Sequence, residues 1–279
     1  MSIFAKDNLL AWCIVPFDAG RRGPKERAEM LRRLGIKALA YDWRQEHIET
    51  FDEELNQLRE HGIKLAAFWL NGGNPADEKG VMEDPMLRPV VDFLKRNDLQ
   101  IEVWKTSDRG LDKIPDVSER YDTGARQVGV LANVFNDLGC TYGIYNHGGY
   151  GGEPQTMVEI AKRLEDKDVG IVYNFHHGHE HLPLMPDAFT AMLPYLICVN
   201  LNGMTSGGTK ILPLSKGEHD LDILRMIRDS GYAGPLGILG HRADTDAEIS
   251  LRENLAGMQA LLEKLGDDEA LRTYQPTES

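Results

Sequence analysis

The residues best suited to chemistry in this chain are its histidines. Four of the nine lie in one stretch, HHGHEH, at His176, His177, His179 and His181. A neutral imidazole, titrating near ~6.5, can take up or return a proton at neutral pH. A tract of them can also hold a metal ion, and an exposed run can simply be solvated. His147 and His241 each close a separate apolar run. The polar residues around them are mostly amides and phenols. Tyr145 and Asn146 precede His147, Asn174 precedes the tract, and Asn200 and Asn202 end another apolar run. Asp42 and Trp43 close KALAYDW, and Trp69 lies near the end of KLAAFWL. Uncharged hydrogen-bonding groups beside flat indole faces suit a polyhydroxylated ligand better than a phosphate or a hydrophobic one. Glu153 is the carboxylate closest in sequence to His147, beyond the glycines of HGGYGGEP. Those glycines could cradle a ligand with backbone N–H groups or serve only as turns. No GK[ST] follows them, so they are not a Walker loop. Lys210, in the long loop SGGTKILPLSKGEHD, reads as a lid contact, an electrophile or a solvated surface charge.

Elements must bring these residues together. Eight apolar runs, at 9–15, 37–43, 64–70, 101–106, 141–147, 169–177, 197–203 and 235–241, read as strands. Amphipathic segments separate them. The predicted helices run from Pro24 to Leu34, from an N-cap at Thr50 with Glu53 in a capping box, and over 85–96, 118–138, 154–165, 187–195, 221–230 and 246–265. Eight βα units of ~30 residues predict a single (β/α)8 (TIM) barrel spanning the chain, whose usual length is ~250 residues. An open doubly wound sheet would announce itself with GxGxxG after the first strand, where this chain reads PFDAGRRG. In a barrel of this kind the site lies at the C-terminal ends of the strands, where Asp42, His147, Asn174, Asn202 and His241 all fall. Strand alternation predicts that Cys198, Asn200 and Asn202 face the axis, as do Asn174, His176, Leu239 and His241. The tail after Leu265 is polar and is expected to fray or lie on the surface.

Composition narrows the function classes. The chain has 279 residues, with 31 Lys and Arg against 44 Asp and Glu, a formal charge of −13. That balance disfavours a nucleic-acid partner, since phosphate binding is driven by basic residues. No run reaches the ~18 apolar residues of a membrane span, so no membrane association is expected. The start, MSIFAKDNLLAW, lacks the apolar core of a signal peptide. Three scattered cysteines without CxxC spacing predict buried free thiols and a reducing, cytoplasmic setting.

The segments YNHGGYGGEP, VGIVYNFHHGHEH, VNLNG and KGEHDLDILRMIRDSGYAGPLGILGH resemble the xylose isomerase-like barrels, a superfamily of sugar isomerases and epimerases that also includes AP-endonuclease-type enzymes. The order of units matches over nearly the whole chain. The resemblance implies a small-molecule carbohydrate ligand and a homo-oligomer. Epimerases of that group hold a divalent metal with Glu, Asp, His and Glu at positions that here read Tyr145, Asn174, Asn200 and Leu239. The hard ligands preferred by Mn²⁺ or Mg²⁺ and the acid/base pair of glutamates are therefore replaced.

Several readings stay open. An isomerase or epimerase would remove a proton next to a carbonyl, with His147 or His177 as acid/base, Glu153 nearby and Lys210 stabilising an enediolate. A lyase or hydratase acting on a keto-sugar would use the same proton removal. No cofactor is assigned, although His147, His176 or His177, and His241 could form an imidazole site for Zn²⁺ or Mn²⁺. A non-catalytic carbohydrate-binding barrel and a DNA-repair endonuclease complete the set. Asp42, Trp43, Trp69, Tyr145, Asn146, Asn174, His176, Asn200, Asn202 and His241 are the expected ligand contacts.

Overall fold

The computed structural model describes residues 2–275. Eight parallel strands close on themselves in sequence order. They are β1 (Leu9–Trp12), β2 (Ala38–Tyr41), β3 (Lys64–Trp69), β4 (Glu102–Thr106), β5 (Thr141–Tyr145), β6 (Val169–Asn174), β7 (Leu196–Leu201) and β8 (Leu236–Leu239), and β1 pairs with β8 to complete the ring. The helices are α1 (Pro24–Leu34), α2 (Phe51–Glu60), α3 (Glu78–Glu83), α4 (Arg88–Arg96), α5 (Val117–Asn136), α6 (Pro154–Lys162), α7 (Met185–Met192), α8 (Asp220–Ser230), α9 (Ala247–Leu265) and α10 (Asp268–Arg272). This is the (β/α)8 barrel that the alternation of runs predicts. Among the described residues no helix is long and apolar enough to cross a membrane. All three cysteines are buried and free.

Two apolar layers follow from strand alternation. Leu39, Tyr41, Leu65, Phe68, Ile171, Tyr173, Val199, Leu201, Leu236 and Ile238 pack between strands and helices. Leu10, Trp12, Ala40, Ala67, Trp104, Tyr145, Val172, Cys198 and Leu239 fill the barrel interior. Two register shifts adjust this pattern, one opposite Leu39/Ala40 and one at Ile171/Val172. An extra residue in a strand turns everything beyond it to the other face. Leu65 and Phe68, three apart, therefore both face the helices, and Trp69 turns inward.

Two local expectations are corrected, and a third is sharpened. Thr50 makes no capping box: its hydroxyl donates to the carbonyl of His47 at 3.0 Å, and α2 has no side-chain cap. The single helix expected over 85–96 is preceded by a separate short one, α3. Between α3 and α4, the Asp84 carboxylate accepts the N–H groups of Gly73, Met86 and Leu87, which fixes a turn. The tail lies on the surface, as expected, and as far as it is described it does not fray. In α10 Ala270 is fully buried, and the Tyr274 hydroxyl donates to the carbonyl of Phe4 at 2.9 Å beneath the barrel. Residues 276–279 lie outside the described part.

Candidate functional site

At the C-terminal mouth the strand ends surround a chamber of about 270 Å³. It is lined by Trp12, Cys13, Phe17, Asp42, Arg44, Trp69, Asn71, Tyr145, His147, His177 and His241. The floor is aromatic. Trp12 sits edge-on to Trp104, with ring centroids 5.0 Å apart, and donates its indole N–H to the Tyr145 hydroxyl at 3.0 Å. Trp69 lies 5.0 Å from Tyr145. Burial pushes the Tyr145 hydroxyl well above its ordinary range, so the floor stays uncharged.

The wall is a row of imidazoles. His147 and His177 have centroids 4.3 Å apart, His177 and His176 4.5 Å, and His176 and His241 5.1 Å. Phe17 covers His241 at 3.7 Å. Burial, followed by the neighbouring imidazoles, lowers His177 to about 2. Burial and His176 lower His241 to about 4. His176 is lowered by burial as well. The rings of His176, His177 and His241 are neutral at pH 7. The expected shuttle near 6.5 does not hold for His177, because each proton would add a charge beside like groups in a poorly hydrated site. His177 is a hydrogen-bonding wall and a weak proton acceptor.

The ionisable pair of the chamber is Asp42 with Arg44. The Asp42 Oδ1 accepts the Val15 N–H at 3.2 Å, and its buried Oδ2 has no hydrogen-bond partner. Burial raises its pKa to about 6, against the lowering influence of Arg44 and of the Val15 N–H. The Arg44 guanidinium donates to the carbonyls of Asp42 and Trp43 at 2.7 and 2.8 Å and lies over the Phe17 ring. Cys13 also faces the chamber. Burial and the nearby Asp42 keep its thiol protonated, and its backbone is left-handed with φ 56°.

The structure thus gathers Asp42, Trp69, Tyr145, His147, His177 and His241 around one chamber, with His176 immediately behind. Other predicted contacts lie elsewhere. Trp43 is fully buried on the outer face of β2, between Phe51 and Phe68, and donates its N–H to the Trp69 carbonyl. Asn146 is fully buried and clamps β6, with its amide on the Asn174 carbonyl at 3.0 Å and its oxygen on the Asn174 N–H at 2.6 Å. Asn174 donates to the Tyr145 hydroxyl and accepts the His176 N–H, so it orders the floor. Asn200 is sealed inside the barrel, its amide nitrogen without a partner. Asn202 donates to the carbonyls of Gly203 and Lys210. Glu153 pairs with His181 at 3.2 Å and lines a separate surface hollow by α6 and α7. Lys210 lines a second cavity that adjoins the chamber.

Arg44, Cys13, Phe17 and Asn71 line the chamber but are not among the expected contacts. All lie just past strand ends, where alternation stops. The one available signal is Arg44 at two residues from Asp42, still in phase with it.

The donor set does not fit the metal cage of the resembling epimerases. Tyr145 and Asn174 bond each other, Asn200 has no access to the chamber, and Leu239 has no donor atom. Among the described residues no three His, Cys, Asp or Glu side chains are placed to hold a metal ion. The histidines stand in a row of ring contacts and do not converge on one point.

No family model matches the sequence, and no curated protein matches it by sequence. Solved structures do match. The chain is similar to the E. coli 3-keto-D-glucoside 4-epimerase YcjR in its apo form, with TM-score 0.68 and 13% identity over 92% of this chain and 99% of that one. It is also similar to the probable 3-DHS dehydratase AsbF from Bacillus anthracis, with TM-score 0.63 and 15% identity over 90% and 98%. A third is a xylose isomerase-like TIM barrel protein from Mycobacterium smegmatis in complex with magnesium, with TM-score 0.58 and 17% identity over 90% of each chain.

Proposed function

The chain has the xylose isomerase-like barrel fold, and we propose that it is an enzyme of carbohydrate chemistry, moving a proton on the carbon next to a carbonyl. The observation that carries this reading is the chamber itself. It offers one carboxylate–guanidinium pair among neutral hydrogen-bonding rings over an aromatic floor. The indole faces suit the C–H faces of a sugar ring, and the imidazoles suit its hydroxyls. An epimerase and a dehydratase among the structural neighbours support the class of substrate.

Asp42 is the proton acceptor in this mechanism. A base works best with a pKa near the working pH, and Asp42 sits closest to it among the chamber groups with shifted values. Its carboxylate takes the proton from carbon, and the electron pair moves onto the carbonyl oxygen to give an enediolate. Arg44 and the neutral imidazoles of His177 and His241 stabilise that oxygen with fixed donors. His147, on the open side of the wall, relays the oxygen-bound proton. Return of the proton by Asp42 to the adjacent carbon gives the isomer, and delivery of a proton by His147 to the opposite face gives the epimer. If the hydroxyl on the next carbon leaves instead, it takes the proton held by Asp42 and departs as water, so the same enediolate yields dehydration. No step is drawn through a metal ion, since the side chains present do not form its cage.

The test is solvent exchange. Ketoses, aldoses and keto-glycosides are incubated with the protein in D2O, and deuterium at the carbon beside the carbonyl is followed by NMR. A substrate takes up deuterium, and Asp42→Asn slows uptake by roughly 10²–10⁴-fold. Binding of a sugar without any deuterium uptake identifies a non-catalytic binder and defeats the mechanism. Binding of no sugar at all defeats the whole reading.

A further inference from the structure

The chamber of about 270 Å³ is small. Ligand pockets generally run to roughly 300–1,000 Å³, so one sugar ring fills it. Just outside lies a second hollow of about 600 Å³, whose lining includes His147, His177, His179, Glu180, Ser206 and Lys210. The two cavities share His147 and His177 as a common wall. A molecule extending past those rings from the inner chamber enters the outer one.

The far side of this hollow is held in place by the fold. The loop 204–211 is closed at its base by a bridge in which the Gly203 N–H donates to the Leu212 carbonyl at 2.8 Å. Within it, the Lys210 carbonyl is engaged by His176 Nδ1 at 3.0 Å, His179 Nε2 at 3.2 Å and the Asn202 amide at 3.2 Å. A carbonyl only accepts, so the His176 proton sits on Nδ1. His176 and Asn202 are buried, 8% and 3% exposed. Two buried polar side chains therefore fix where this loop stands.

The lining also states what fits. Glu180 and Lys210 supply one charge of each sign, and the remainder is imidazole, Ser206, glycine backbone and Pro183. A unit with net charge meets repulsion from one of the two, whereas a neutral hydroxylated unit finds donors and acceptors on every side.

We infer that the outer hollow is a second binding subsite, and that the ligand is a neutral glycoside of at least two units. The reacting ring sits inside, and its hydroxylated partner sits outside, across the His147–His177 wall. The inference rests on the carbohydrate reading of the inner chamber. It excludes free monosaccharides as the preferred substrates.

Isothermal titration of the full chain tests it, with D-glucose, D-galactose and D-fructose set against cellobiose, maltose, lactose and sucrose. At least one disaccharide should bind tenfold or more tightly than either hexose it contains. Ser206→Trp, which fills the outer hollow, should bring that ratio to within about twofold, and Pro183→Trp should do the same should the first variant fold poorly. Hexoses that bind as tightly as every disaccharide overturn the second subsite and leave the carbohydrate reading standing. A disaccharide advantage that survives both variants places the second unit elsewhere and overturns it too. No binding by either class removes both readings together.

Discussion

Replacing Asp42 with asparagine should make the protein more stable at neutral pH while it removes activity. In an unfolded chain this aspartate titrates at the usual 3.8, and in the folded chamber at about 6. Between those values the folded state binds the proton more tightly. The contribution of Asp42 to stability is thus fully present below pH 3.8 and is lost as pH rises through 6. The gap of about two pH units is worth about 3 kcal/mol at 1.36 kcal/mol each. The groups that face the carboxylate, Arg44, Arg27, Cys13 and Tyr41, remain in the variant. The exchange also replaces one unpartnered atom, Oδ2, with another of similar size. Urea denaturation of both proteins at several pH values from 4 to 8 gives the difference in stability directly. The introduced amide need not mimic the carboxylate perfectly, because its fixed effect is the same at every pH. From pH 4 to pH 8 the difference should swing by about 2.5 kcal/mol in favour of the variant. A difference that is flat across this range would show that Asp42 does not titrate near 6, and the case for it as the base would go with it.

Other outcomes follow from the same structure. The imidazole signals of His177 should stay at their neutral positions from pH 8 down to pH 5 by NMR, since the folded ring accepts a proton only near 2; a midpoint above 5 refutes its placement. An unfolded histidine protonates near 6.5, so the stability His177 contributes is complete above that pH and shrinks as pH falls. His177→Gln should therefore lessen acid destabilisation below pH 6. Gly237→Ala should lower stability by about 1–3 kcal/mol or more, because the added carbon would overlap Asn200 Oδ1. A second change, Asn200→Ala, should restore much of the loss in a urea melt, and no recovery would show that the clash is not the cause.

The barrel is legible because eight apolar runs recur with a period that only a βα repeat explains. Side-chain direction is legible where a strand stays regular. In β2 the small residues Ala38 and Ala40 share a phase with Asp42, so Tyr41 and Trp43 point to the helices. That phase is readable in the sequence, and it decides the orientation of Trp43 even at the strand end. In β3 the rule fails for a different reason. Simple alternation from Leu65 puts Trp69 among the helices, and only the register shift brings it to the chamber. No residue type marks such a shift beforehand. Closeness in sequence also misleads. Glu153 is six residues from His147, yet it opens α6 on the outside of the barrel, and its partner is His181. The depressed values at His177 and His241 depend on rings from different strands meeting within about 5 Å. Pattern reading lists those histidines but does not bring them into contact.

The Tyr274 hydroxyl meets the Phe4 carbonyl on the side of the barrel away from the chamber, and nearby the Ser2 hydroxyl donates to Asp267 at 2.5 Å. A circular permutant in which a short linker joins Ser2 to Tyr274 therefore spans neighbouring points at the base and leaves every chamber residue on its original strand.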